Sequence, residues 1–298
     1  MQIRETESAR DVDALVELLR EESPWTTTNR AAWLHREASV PARARLGAWV
    51  AELDGRVVGE SWAFKTWWME GPVSMNVAVL KRHQGKGIGS ALYERAFAYA
   101  ESLAPTRIMS GFFETPRAVG FAQARGFQEE RAERISAVDP RTLDVETAAE
   151  VRPCAQVDPH VLWQIDETVT PDVPGQDNPS HMPFDEWREF VIARPLYQPE
   201  GSFVAYADGE PAALSMLAAD LETGRGVTIF TGTLREFRGR GLGLAAKAAS
   251  LRWAGANGVS YISTINDETN APMLAINDRL GYKPAGRRVE YVSSPSVD

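Results

Sequence analysis

The sequence predicts an α/β protein of two similar domains in tandem, each a sheet flanked by helices. Three recurring landmarks carry that prediction. Asp54-Gly55 lies between two strand-like runs, and Asp208-Gly209 does the same 154 residues later; both read as hairpin turns, because Asp-Gly supplies the positive φ angles such turns require. Gln84-Gly85-Lys86-Gly87-Ile88-Gly89 returns as Arg238-Gly239-Arg240-Gly241-Leu242-Gly243, again at an offset of 154. Arg125-Gly126-Phe127 returns as Leu280-Gly281-Tyr282 at an offset of 155. Three unlike signals that keep register to within one residue mark an internal duplication, and 298 residues are enough for two domains of ordinary size.

The elements follow in the same order in each half. Short first strands are expected at 2–5 and 150–152. Apolar residues at helical spacing (Val12, Leu15, Val16, Leu19; Val161, Leu162, Ile165) predict helices over 11–21 and 160–168. Hairpin strands at 46–53 and 56–64, then at 203–207 and 210–217, flank the Asp-Gly turns. Apolar strands at 74–80 and 227–234 lead into the glycine loops, and Ala-rich helices at 90–103 and 244–257 leave them. Strands at 107–112 and 260–265, a short helix, the Gly-aromatic turn and final strands at 132–138 and 286–292 complete each unit. Asp139-Pro140 and the polar residues after it place the division at 1–143 and 144–298. The longest irregular stretch, 170–183, carries prolines at 171, 174, 179 and 183; it is expected either to cover a site or to act as a connector.

Composition narrows the function classes. Basic residues number 32 against 41 acidic, a formal charge of −9 that disfavours gripping a nucleic acid backbone or an anionic membrane. The single cysteine, Cys154, permits no internal disulfide, and no Cys/His cluster has metal-site spacing. No apolar run reaches membrane-spanning length and the start is mixed and acidic, so a cytoplasmic protein is expected.

A glycine loop between strand and helix converges backbone N–H groups on one point, and the helix adds its own unpaired N–H groups and positive dipole end. Phosphate is the natural guest. The donors are expected from Gln84, Gly85, Gly87, Gly89 and Ser90 in the first half, and from Arg238, Gly239, Gly241, Gly243 and Leu244 in the second. Neither loop ends in the Gly-Lys-Ser/Thr of a nucleotide hydrolase, and neither is the dinucleotide fingerprint of a first βαβ unit.

Both loops match the Gln/Arg-x-x-Gly-x-Gly signature, so the chain resembles the GCN5-related N-acetyltransferase (GNAT) superfamily twice over. The second half resembles tandem bacterial members, including mycothiol synthase-like proteins, through Thr231-Gly232-Thr233, Thr264-Ile265-Asn266, Asn270, Met273 and Asn277. The resemblance implies two domains, each with a central mixed β-sheet flanked by helices. It also implies binding of acetyl-CoA or another short acyl-CoA, with pyrophosphate on the loop and the pantetheine arm in a splayed cleft. Backbone groups of Val77 and Val79, and of Thr231 and Thr233, would face the arm, and Asn266, Asn270 and Asn277 would lie along it. Many members place a proton-donating tyrosine five residues before the aromatic of the Gly-aromatic turn; here those positions are Ala122 and Asn277. A CoA thiol, with a pKa near the roughly 8.5 of cysteine, still leaves without that acid, and Asn277 is expected to offer a hydrogen bond instead.

The implied reaction is direct transfer of an acetyl group to a small-molecule amine, which needs a base to remove the ammonium proton. Glu60 is the candidate in the first half, in the series Val58, Glu60, Trp62, Phe64, with Asn76 on the next strand. Asp185 is the candidate in the second, where Asp177, Glu186 and Asp220 also lie in or near segments that could wall an acceptor cleft; His83 and His181 are the histidines nearest the motifs. Trp62 and Phe64 are expected to be buried, and one of Trp67 and Trp68 to line an acceptor pocket or a domain interface. The fuller set of family residues makes the second half the expected site of transfer. The alternative is a noncatalytic acyl-CoA-binding or scaffolding module, suggested by the absent tyrosines and by Thr115 at the position of Asn270.

Overall fold

The computed structural model describes residues 1–174 and 182–294. The first half runs β1 (Gln2–Glu5), α1 (Ser8–Glu22), α2 (Arg30–Ala38), β2 (Gly47–Leu53), β3 (Arg56–Lys65), β4 (Val73–Val79), α3 (Ile88–Ser102), β5 (Ile108–Phe113), α4 (Pro116–Gln123) and β6 (Gln128–Val138). The second runs β7 (Val151–Pro153), α5 (Pro159–Val169), α6 (Phe184–Trp187), β8 (Phe203–Ala207), β9 (Glu210–Asp220), β10 (Arg225–Thr233), α7 (Leu242–Ala256), β11 (Tyr261–Asp267), α8 (Ala271–Arg279) and β12 (Lys283–Ser293). Among the described residues no helix is long and apolar enough to cross a membrane.

The chain divides into two units, but not at the expected 143/144 boundary. Unit 1 holds residues 1–24 and 28–132 together with the chain from Arg287 onward, and unit 2 holds residues 25–27 and 133–286. The last strand of each half therefore belongs to the other half's unit. In unit 1, β1 to β4 are antiparallel neighbours in sequence order, β4 pairs β5 in parallel, and β12 pairs β5 antiparallel. In unit 2, β7 to β10 are likewise antiparallel, β10 pairs β11 in parallel, and β6 pairs β11 antiparallel. A strand needs only a complementary edge and matching faces, and the duplication supplies two such edges.

Both hairpins turn as their Asp-Gly pairs dictate, with φ of 51° and 76° at Asp54 and Gly55 and 55° and 86° at Asp208 and Gly209. Each also carries a bulge at the same repeat position: Ala51 faces Gly59 while Glu52 faces Val57, leaving Val58 extra, and Ala205 faces Ala213 while Tyr206 faces Pro211, leaving Ala212 extra. A bulge re-aims the residues around it. Val58 accordingly packs with Ile88 and Leu92 of α3, whereas Val57 packs in the cluster of α1 and α2 with Val12, Leu15 and Trp33. The alternation expected from Val58 through Phe64 is thus broken at its first member. Two helices were not foreseen: α2, begun by Asn29 accepting from Ala32 N–H, and the short α6.

Candidate active site

In both units the sheet splits where the glycine loop begins. β4 and β5 pair only at Val73–Ile108 and Ser74–Met109, and β10 and β11 only at Arg225–Tyr261, Gly226–Ile262 and Val227–Ser263. Beyond these points Val77, Val79, Thr231 and Thr233 lie on strands with no strand partner on that side among the described residues. Val77 N–H turns to the neighbouring Asn76 Oδ1 at 2.7 Å. The Val79 carbonyl accepts from Gln84 Nε2 at 2.9 Å, and the Thr233 carbonyl accepts from Arg238 Nε at 3.1 Å. The first residue of each signature therefore ties the loop back to the strand before it.

The loops have the same shape. Gly85 and Gly87 have φ of 76° and 80°, and Gly239 and Gly241 have 77° and 75°, the left-handed region that favours glycine. Gly87 and Gly241 start α3 and α7 without a side-chain cap, so first-turn N–H groups lack intrahelical acceptors. A Cβ placed on either would meet nothing within 4 Å; the space before each helix is open and suited to a diphosphate. Arg117 Nη1 lies 3.5 Å from where a Gly85 Cβ would stand, a cation beside the first loop that its α4 position did not advertise. Arg125 Nη2 donates to Ser90 Oγ at 2.9 Å and fixes the first turn of α3. In unit 2, Arg235 and Arg238 both bind Asp172, whose carboxyl they hold well below the usual range.

Asn270 and Thr115 turn out to be equivalent. Each caps the helix after its fifth repeat strand, Asn270 Oδ1 accepting from Met273 N–H at 3.3 Å and Thr115 Oγ1 from Ala118 N–H at 3.1 Å. Thr115 keeps the helix cap that Asn270 makes in the other repeat. Asn277 is fully buried. It accepts from Lys247 Nζ at 2.6 Å and donates to Asn266 Oδ1 at 2.7 Å, so its carboxamide orients half-buried Asn266 within the protein instead of facing a ligand. Lys247, missed in the sequence because it sits in an Ala-rich helix, is fully buried, and desolvation pushes its amine down to about 7. From its ordinary 10.5, the native amine sheds its proton earlier than the unfolded one, so this lysine costs stability at and below pH 7 and the cost fades as pH rises toward 10. Lys247→Met is expected to flatten the pH dependence of melting temperature across that window, measured by thermal unfolding.

The side chains beside the split differ between the two units. In unit 1, Glu60 is 7% exposed and pairs in register with Ala78, between Val77 and Val79. Burial pushes its carboxyl up to about 8, nearby Glu22 and Glu37 add to the rise, and Arg36 opposes it. Glu22, at the end of α1, rises to about 7 through burial, moderated by Asn76, Arg288 and Arg36; Asn76 Nδ2 donates to its Oε1 at 3.2 Å. Trp62 and Phe64 are half-buried, against the expected full burial. Their rings stack at 5.2 Å, Phe64 meets Trp67 and Trp68, and those two meet edge to face at 4.4 Å. Both tryptophans join one aromatic cluster.

In unit 2 the repeat equivalents of Glu60, Trp62 and Asn76 are Leu214, Met216 and Phe230. Leu214 and Met216 are fully buried, in an apolar cluster with Leu162, Ile165, Val169 and Trp187 against which Phe230 packs. Asp185 is not a buried base: its side chain is 84% exposed and pairs with Arg188 one turn on. The desolvated carboxylate of this unit is Asp166, raised by burial and held by Trp187 Nε1 at 2.6 Å and Thr170 Oγ1 at 2.9 Å, which makes it a tie between α5 and α6. Asp220 closes the β9–β10 turn by accepting from Glu222 and Thr223 N–H. His83 sits half-buried in the turn before the first loop. Asp177 and His181 lie outside the described residues.

Comparison with known proteins bears on these paired loops. The acetyltransferase (GNAT) family matches residues 12–127 and 162–282. The chain belongs to the GNAT family, as a tandem N-acetyltransferase. The GNAT fold extends over the whole length in solved structures. A tandem GNAT protein from the clavulanic acid biosynthesis pathway, solved without acetyl-CoA, superposes with a TM-score of 0.77 at 19% identity, covering 100% of this chain and 99% of that one. A GCN5-related N-acetyltransferase from Sphaerobacter thermophilus gives 0.72 at 18% identity, covering 100% and 97%. A GNAT-family acetyltransferase from Colwellia psychrerythraea gives 0.65 at 10% identity, covering 99% and 100%. No curated protein sequence matches.

Proposed function

We propose that this GNAT protein transfers an acetyl group directly from acetyl-CoA, or another short acyl-CoA, to a small-molecule amine, and that unit 1 performs the transfer. The observation that carries the reading is Glu60, a desolvated carboxyl between the two valines whose strand edge is unpaired. When bound, the acyl-CoA supplies a thioester carbonyl, and the residues of the chain do the rest. Gly85, Gly87, Gly89 and Ser90 would hold the diphosphate through the loop and the first turn of α3. Backbone groups of Val77 and Val79 would pair with the arm, and the Val79 N–H would supply the donor to the developing oxyanion, that of Val77 being bonded to Asn76. Glu60 takes the ammonium proton of the acceptor, with an affinity matched to that task near neutral pH. Unit 2 keeps the loop, but Leu214, Met216 and Phe230 replace the polar acceptor face. This favours a cofactor-holding or scaffolding role for it and moves the expected site of transfer to the first half.

Steady-state release of CoA, followed with a thiol reagent against a panel of primary amines, tests the reading. Amine-dependent release well above hydrolysis is expected. Tight acetyl-CoA binding with release at background for every amine would leave a noncatalytic acyl-CoA-binding module.

A further inference from the structure

Unit 2 keeps a buried amine that acetyl transfer in unit 1 does not use. Lys247 of α7 and Asn277 of α8 are both fully buried. Lys247 Nζ donates to Asn277 Oδ1 at 2.6 Å and lies 4.7 Å from the Tyr282 ring centroid. The Tyr282 hydroxyl is engaged with Thr228 Oγ1 at 3.1 Å, and burial raises its proton affinity, so it stays neutral. No charged side chain among the described residues faces the amine, which desolvation alone displaces. A cation without a counter-charge in the interior costs stability, and an unbranched apolar side chain would avoid that cost.

What the ammonium supplies is direction. It carries donors only, so the oxygen of the Asn277 carboxamide must face it and the nitrogen must point away. That nitrogen donates to Asn266 Oδ1 at 2.7 Å, which leaves Nδ2 as the remaining group of the Asn266 carboxamide. Asn266 is half-buried. Its Nδ2 donates to nothing among the described residues, yet is not one of the buried polar atoms that lack a partner, so it opens to solvent. Asn266 stands three residues beyond Ser263, the last β11 residue paired with β10, and so on one lip of the split. The first turn of α7 meets both sides: the Cβ position of Gly243 is 2.9 Å from Thr233 Oγ1, 3.9 Å from Thr231 Cγ2 and 3.7 Å from Cδ1 of Ile276, the residue before Asn277. Lys247, Asn277 and Asn266 form a one-way chain that ends at the split in a hydrogen-bond donor.

We propose that Lys247 is a positioning residue for coenzyme binding in unit 2: through Asn277 it holds the Asn266 carboxamide with Nδ2 toward the split, where it donates to an amide carbonyl of the acyl-CoA arm. This rests on the cofactor-holding reading of unit 2 above. A neutral amine has a lone pair as well as N–H donors, so loss of the proton lets both carboxamides turn over and present Asn266 Oδ1 to the carbonyl instead. With the amine pushed down to about 7, unit 2 holds acyl-CoA more tightly below that pH than above it.

Calorimetric titration of acetyl-CoA into the full-length Gly87→Glu protein, whose first loop is blocked by a carboxylate, reads unit 2. Affinity is expected to fall about 5-fold from about pH 6 to about pH 8, the scale of one net hydrogen bond. Lys247→Met should flatten that fall and raise the melting temperature at pH 6. Asn277→Asp keeps the volume and still accepts from Lys247, but its second oxygen accepts as well, so Asn266 must present Oδ1; affinity should drop by about 10-fold with the fold intact by circular dichroism. Asn266→Ala, at a half-buried position, should cost a similar factor, and adding Asn277→Asp to it should cost nothing more. Unchanged affinity in either single variant, a further loss in the double variant, or a pH dependence that survives in Lys247→Met would overturn the inference while leaving cofactor holding intact. No binding by the Gly87→Glu protein at any pH would overturn both.

Discussion

Glu60→Gln is expected to lower kcat by about 10²–10⁴-fold, the usual contribution of a positioned base, with little change in acetyl-CoA affinity. The wild-type rate should climb with pH and level off above about 8, where Glu60 is ionised. The groups that face it, Glu22, Glu37 and Arg36, set that midpoint, and the glutamine variant should lose the limb, keeping only the ionisation of the amine itself. The same substitution should stabilise the fold. The native carboxyl, at about 8 against an ordinary 4.5, binds its proton more tightly than the unfolded one, so wild-type stability declines as pH rises from 4.5 to 8. Glutamine does not titrate, and its melting-temperature advantage should grow across that window. A variant that is both slower and less stable at pH 8 would point to Glu60 as a packing residue only.

The second large effect separates the loops. Gly87→Glu and Gly241→Glu each place a carboxylate in open space before a helix N-terminus, where it occupies the anion's position and repels it. Each also forces a side chain into a left-handed conformation, at a cost of about 1 kcal/mol, small enough for the fold to survive. Gly87→Glu is expected to abolish turnover and weaken acetyl-CoA binding at its loop by more than about 100-fold, because both the phosphate nest and its dipole are lost. Gly241→Glu should remove one equivalent of bound acetyl-CoA in calorimetric titration while retaining most of the turnover. The reverse pattern would return the chemistry to unit 2.

Much of this architecture was legible because backbone requirements leave traces in side chains. The Asp-Gly turns and glycine loops demand positive φ, and only a few residue types tolerate it, so Gly55, Gly85, Gly87 and their repeats declared themselves. Glu60 was legible as a carboxylate in an apolar strand. The bulge at Val58 was not, since one extra residue has no compositional signature, nor was Arg288, whose place beside Glu22 depends on which edge β12 joins. Asp185 misled because proximity in sequence to an irregular segment says nothing about burial. Lys247 was hidden by alanines: a helical lysine is normally solvated, and nothing local reveals that α7 is buried on almost every side.

The exchange of β6 and β12 gives the duplication a consequence for its heredity. A chain cut at residue 143 would retain a strand shaped for the lost half and would lack the one that pairs with β5, so neither fragment would inherit a finished edge. Fission at that point yields two partners that each need the other's last strand to complete a sheet edge.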